Sequence, residues 1–223
     1  MRKILPMLSF LRRYRVVLLI YTLLLIAGLI LLATFGKADI HIVINRHTTA
    51  FGDFIMKYIT HMGDGIFAAA VIILLLFVSI RMSLGQLMAF LSSGIIAQAL
   101  KKLVFSGMPR PSVFFEGIYN LHLVEGIRIA RFNTFPSGHS ATTFAIFFCL
   151  IFTTRNRWLQ AVYFCMAWLV GFSRIYLSQH FISDVLAGSF IGVSMAMLSV
   201  YVVSRWKAQW LDTPLQNHLF AKK

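Results

Sequence analysis

Three short stretches of the chain concentrate residue types that can move a phosphoryl group. Lys102 with Arg110-Pro111 forms the first, Pro136-Ser137-Gly138-His139 the second, and Ser173-Arg174 with His180 and Asp184 the third. Two arginines and a lysine offer many N–H donors, matched to a phosphate carrying nearly two negative charges. Ser137 and Gly138 open an apolar stretch, where the first backbone N–H groups of a helix have no internal acceptor and attract anions. His180 and Asp184 are four residues apart and share one face of a helix. The carboxylate can hold one ring N–H and leave the other nitrogen's lone pair free to attack phosphorus. A second imidazole, His139, then protonates the departing oxygen. His180 is therefore the expected nucleophile, His139 the general acid and Asp184 the orienting acid. Lys102, Arg110, Ser137, Gly138 and Arg174 are the expected phosphate grip. Two His and one Asp could also bind a metal. Three cations beside them would repel it, and fixed cations stabilise a transferring phosphoryl group unaided. Neither metal nor cofactor is expected.

The elements that must position these groups are membrane helices. Of 223 residues, 59% are apolar and 13% charged, and the mean hydropathy is +0.79. A water-facing globule needs a more polar surface. Stretches free of Asp, Glu, Lys and Arg run over Val16–Gly36, Gly65–Ile80, Met82–Leu100, Phe132–Thr154, Trp158–Ser173 and Val185–Ser204. About 20 helical residues cross a hydrocarbon core. The two shorter runs are flanked by Arg81, Arg157 and Arg174, which can snorkel to headgroups. Six transmembrane helices in an all-α bundle are expected. The first run is longer than a signal-peptide core and no clear cleavage site follows it, so it is expected to be a retained anchor.

The net charge of +14 is unevenly spread. If six helices alternate, twelve Lys and Arg share the side of the N-terminal leader and the C-terminal tail, against one acid, Asp212. The other side carries nine basic residues against six acids. By the bias of Lys and Arg toward the cytoplasm, both termini are expected inside. All three stretches then meet at the outer face. Most of the positive charge is thereby assigned to topology and anionic-lipid contact, which excludes nucleic acid as a partner.

Two outer connections are longer. The first, the loop from Lys37 to Asp64, includes Phe51 to Ile59, which suits an interfacial helix, and the second, Lys101 to Phe135, with Pro109 and Pro111, suits an irregular lid. Cys149 and Cys165 lie in apolar runs and are expected to be small buried hydrophobes. For His41, His47, His61, His122 and His218, placement at a surface or interface is expected instead. Residues 1–223 form one domain.

The ordered set of motifs resembles the type 2 phosphatidic acid phosphatase superfamily, whose pattern is K-x6-R-P, then P-S-G-H, then S-R-x5-H-x3-D. The second and third motifs match completely. In the first, seven residues separate Lys102 from Arg110 and eight separate Lys101 from it; an insertion near Ser106-Gly107 would absorb the extra residue, with Lys102 the preferred lysine and Lys101 the alternative. The resemblance implies a metal-free phosphatase with a phosphohistidine at His180 and His139 as acid. The membrane spans set the chain apart from soluble vanadium haloperoxidases with the same motifs. The implied substrate is a membrane lipid phosphate in the bilayer. Lipid A and undecaprenyl diphosphate lead, ahead of phosphatidylglycerol phosphate and phosphatidic acid, in a bacterial cytoplasmic membrane with the site on the periplasmic side. A lipid phosphotransferase and a non-enzymatic lipid transporter are the rival readings.

Overall fold

The computed structural model describes residues 7–219. The basic residues Arg2, Lys3, Lys222 and Lys223 of the charge count lie outside them. Helices are α1 (Met7–Arg13), α2 (Arg15–Arg46), α3 (Ala50–Ile59), α4 (Gly65–Leu76), α5 (Ile80–Ala99), α6 (Pro111–Phe114), α7 (Gly138–Thr153), α8 (Arg157–Tyr176), α9 (Ile182–Ser204) and α10 (Gln216–Leu219). A 3-10 turn, Thr60–Gly63, joins α3 to α4, and a π-turn, Leu100–Val104, extends α5. The described residues contain no strand, as expected for an all-α bundle.

Local chemistry sets several boundaries. Asn156 caps α8 by accepting from the N–H groups of Trp158 and Leu159. The Ser137 side chain accepts from Ser140 N–H to start α7. Gly36, at φ 74°, breaks α2 where its apolar run ends. The ten residues beyond it continue as helix, where the sequence suggested a loop. Lys37 there lies over the rings of Phe114 and Phe181 at 5.0 and 4.7 Å.

Among the described residues, four helices are long and apolar enough to cross a membrane: α2, α5 with its π-turn, α8 and α9. α3 and α4, bent by 57° at Asp64, add a fifth if they form one broken span. The chain is an integral membrane protein, but six spans are not confirmed. The shortfall is α7, only 16 residues long, with twelve of them buried. It lies at the centre of the bundle against α5, α8 and α9, so protein rather than lipid surrounds it and it need not match the bilayer. Phe144, Phe148, Ile151 and Phe152 of α7 build the core with Tyr21, Val170, Val193 and Val200. Lipid-facing surface falls instead on α2, where Leu19, Leu23 and Ile30 are exposed.

Small residues let α9 approach α7. A β-carbon at Gly192 would lie 2.4 Å from the Ala141 carbonyl oxygen and 2.8 Å from Ala145 N. Neither backbone atom can yield without spreading the helices. Gly192→Val should therefore destabilise the solubilised protein by about 1–3 kcal/mol. Gly94→Ala, with open space around it, should not. Thermal unfolding in detergent checks both.

Three side chains depart from the sequence expectation. Arg81 does not snorkel. It is buried, and its guanidinium bonds Asp212 at 2.8 Å and the carbonyls of Trp206 and Ala208 at 3.0 and 2.9 Å, so it fastens the C-terminal segment to α5. Cys165 is exposed on the outward face of α8, while Cys149 is buried. His41 is buried rather than superficial, stacked on Phe115 and hydrogen-bonded to Ser178 at 3.1 Å.

Candidate active site

The C-terminal ends of α5 and α8 and the N-terminal ends of α7 and α9 lie at one end of the bundle. Ser137 N–H donates to the Asp184 carbonyl at 3.0 Å, which locks the second and third motifs together. The link between α8 and α9 is short and folded back. Ser178 takes a left-handed conformation, φ 53°, and the N–H groups of Gln179 and His180 both donate to the Arg174 carbonyl at 3.0 Å. Arg174 and His180 are thereby fixed to one backbone unit.

His180 and Asp184 are both buried, and Nδ1 of the ring lies 3.2 Å from Asp184 Oδ2. A carboxylate only accepts, so Nδ1 carries the proton and Nε2 presents the lone pair. Asp184 is held in turn by the Thr134 hydroxyl, by Phe181 N–H at 3.0 Å and by Ser183 Oγ at 3.0 Å. Burial pushes the His180 imidazole down to about 3, against the upward pull of its hydrogen bond to Asp184 and with help from Arg110. Burial thus favours the neutral ring.

Arg174, 6% exposed, donates from Nη1 to Thr60 Oγ1 at 2.6 Å. Its buried Nε has no acceptor among the described residues. A buried guanidinium with an unused donor is a demand for an anion. Arg110, half-buried, bonds the Phe132 carbonyl at 3.1 Å and Gln179 at 3.2 Å. The charges of Arg110 and Arg174 both act on His139 and on His180, so the two imidazoles share one cationic environment. A β-carbon at Gly138 would meet nothing within 4 Å. The start of α7 thus stands open beside these groups.

Between the two candidate lysines the geometry favours the alternative. Lys102 is exposed, whereas Lys101 is buried and feels the charges of Arg110, Asp184 and Arg174. The cause is the π-turn, whose extra residue per turn rotates the helix end. The irregularity falls at Leu100–Val104, not near Ser106-Gly107. Sequence reasoning also missed Thr60, Asp64 and Thr134. Asp64 Oδ1 lies 2.6 Å from His139 Nε2, and its Oδ2 lies 2.8 Å from His61 Nδ1. The one signal was an Asp-Gly pair opening an apolar run, which also marks any helix start. Two open cavities, of about 440 Å³ against residues 112–123 and about 890 Å³ at the opposite end of the bundle, are lined by none of the motif residues.

An oriented imidazole, a second imidazole, a buried arginine and a half-buried one thus lie together at the mouth of a membrane helical bundle. Residues 82–208, more than half of the chain, match the PAP2 superfamily, and the chain belongs to it. It is 36% identical over 116 residues to a lipid A 1-phosphatase of Rhizobium etli, a match covering 51% of this chain and 47% of that protein. It is 33% identical over 111 residues to a lipid A 4'-phosphatase of Bacteroides thetaiotaomicron, covering 49% of each. The matches thus span about half the length of these curated relatives. The crystal structure of Aquifex aeolicus LpxE superimposes with a TM-score of 0.66 at 24% identity, covering 74% of this chain and 94% of that one. That likeness establishes the shared fold.

Proposed function

We propose that the protein is a lipid phosphatase that hydrolyses a phosphate ester or diphosphate of a membrane lipid through a phosphohistidine on His180. The observation that carries the reading is the buried Arg174 Nε, without an acceptor among the described residues and fixed by one turn of backbone to an imidazole whose Nδ1 is held by Asp184. In the first step Nε2 of His180 attacks phosphorus, the ester P–O bond breaks, and His139 gives its proton to the departing oxygen. Asp184 stabilises the charge that develops on His180. In the second step water attacks phosphorus, neutral His139 takes a proton from it, and the N–P bond breaks to release phosphate. Lys101, Arg110, Arg174 and the backbone N–H groups at Ser137 and Gly138 hold the phosphate oxygens through both steps.

The site at the end of apolar helices suits a substrate whose tails stay in the bilayer. The relatives named as lipid A phosphatases favour a phosphorylated lipid A, with undecaprenyl diphosphate second. The bias of Lys and Arg supports cytoplasmic termini and a periplasmic site in a bacterial inner membrane. A panel of purified lipid phosphates, assayed in detergent for released phosphate with EDTA present, tests the reading. The expected result is release from lipid A species in preference to phosphatidic acid. No release from any lipid, or release only when a metal is restored, would contradict it.

A further inference from the structure

Asp64 lies outside the three motifs, yet it makes one of the shortest polar contacts at the site. The 3-10 turn Thr60–Gly63 presses on the first turn of α7 so closely that a β-carbon at Gly63 would lie 2.7 Å from Thr143 Oγ1 and 3.3 Å from the His139 carbonyl oxygen. Glycine is what lets the turn come near enough for Asp64 Oδ1 to reach His139 Nε2 at 2.6 Å. From the same turn, Thr60 Oγ1 meets Arg174 at 2.6 Å. On its other oxygen Asp64 holds His61 Nδ1 at 2.8 Å, and the His61 side chain is 64% exposed.

We propose that Asp64 is the positioning residue of His139: it holds the Nε2–H of the ring and leaves Nδ1 facing the reacting phosphate, with His61 holding Asp64 from the solvent side. The proposal rests on the phosphatase reading and adds a residue that the family motifs omit. The geometry parallels that of His180 and Asp184, with the nitrogens exchanged: there Nδ1 is held and Nε2 is free. As a carboxylate Asp64 accepts and never donates, so neutral His139 keeps its proton on Nε2. Nδ1 is then the atom that gives a proton to the leaving oxygen in the first step and takes one from water in the second. Asp64 itself gains no proton in either step. The charged groups facing His139 are Asp64, Arg174 and Arg110. The two arginines oppose the imidazolium, and Asp64 is the carboxylate that supports it.

The test compares two substrates in the full-length protein in detergent: a long-chain alkyl phosphate, whose leaving alkoxide needs a proton, and an aryl phosphate, whose leaving phenolate hardly does. Rates of leaving-group release are measured in the first turnover, before the phosphoenzyme is hydrolysed. Asp64→Asn should slow alkyl release by about 100-fold and aryl release by less than about 3-fold. With the alkyl substrate the falling alkaline limb of the rate should move about one pH unit toward acid, because the imidazolium has lost its carboxylate. His61→Ala, at an exposed position, should slow alkyl release by less than Asp64→Asn does and spare aryl release, and it serves as a second probe if Asp64→Asn folds poorly. Equal losses on both substrates, or unchanged rates with an unmoved limb, would overturn the proposal while leaving the phosphatase reading intact. A wild-type protein inert toward both phosphates would overturn the two together.

Discussion

His180→Ala is expected to abolish turnover, with a loss on the order of 10⁵-fold or more, while substrate affinity falls little. His180 is the buried ring held through Nδ1 by a buried carboxylate with Nε2 left free at the cationic cluster, whereas His139, held by Asp64, is partly exposed. Arg110, Arg174 and the α7 N-terminus are untouched by the change, so the phosphate should still bind. The burial that lowers the His180 imidazole to about 3 adds a pH expectation. Below the ordinary histidine value of about 6.5 a solvent-exposed nucleophile would be lost to protonation. Here the attacking nitrogen keeps its lone pair, so phosphoryl transfer should show no loss assignable to His180 between pH 8 and about pH 5. A rate that titrates away near 6.5 and vanishes with a His180 substitution would place that ring in water.

The second large effect is expected at Arg174. Its Nη1 is committed to Thr60 and its Nε is unused, so the fork has a fixed orientation with one edge left for the phosphate. Arg174→Lys keeps the charge but supplies a single point donor on a flexible stem. Turnover should fall by about 100- to 1000-fold, comparable to loss of a transition-state hydrogen-bond donor, with a smaller rise in KM. Steady-state kinetics of the purified variant separate the two. Wild-type turnover in Arg174→Lys would remove the guanidinium from the phosphate site.

How far the sequence reached differs from group to group. The second and third motifs could be read because their geometry is local. Ser137 caps its own helix, and Arg174, His180 and Asp184 belong to one chain reversal whose hydrogen bonds span at most six residues. The ends of α8 and α9 were nearly as visible, since charged residues punctuate the apolar runs there, whereas α2 runs on past Gly36. What escaped was tertiary. Hydropathy cannot tell a residue facing lipid from one facing protein, so the apolar run did not reveal that α7 is the buried centre of the bundle. An arginine at a helix end looks like a snorkel until the C-terminal segment is seen wrapped around Arg81. Lys101 and Lys102 are neighbours in sequence, and only the π-turn decides which one is buried. Asp64 and Thr60 reach the site from about 75 and 114 residues away, a distance no local pattern records.

The central claim is a covalent bond between His180 and phosphorus. Brief reaction with a radiolabelled lipid phosphate, quenched in alkali where phosphohistidine survives, followed by proteolysis and mass mapping, measures that bond directly. The label should lie on His180, form at least as fast as phosphate is released, and be missing from His180→Ala. Label on any other residue, or phosphate released at full rate with the protein never labelled, would contradict it.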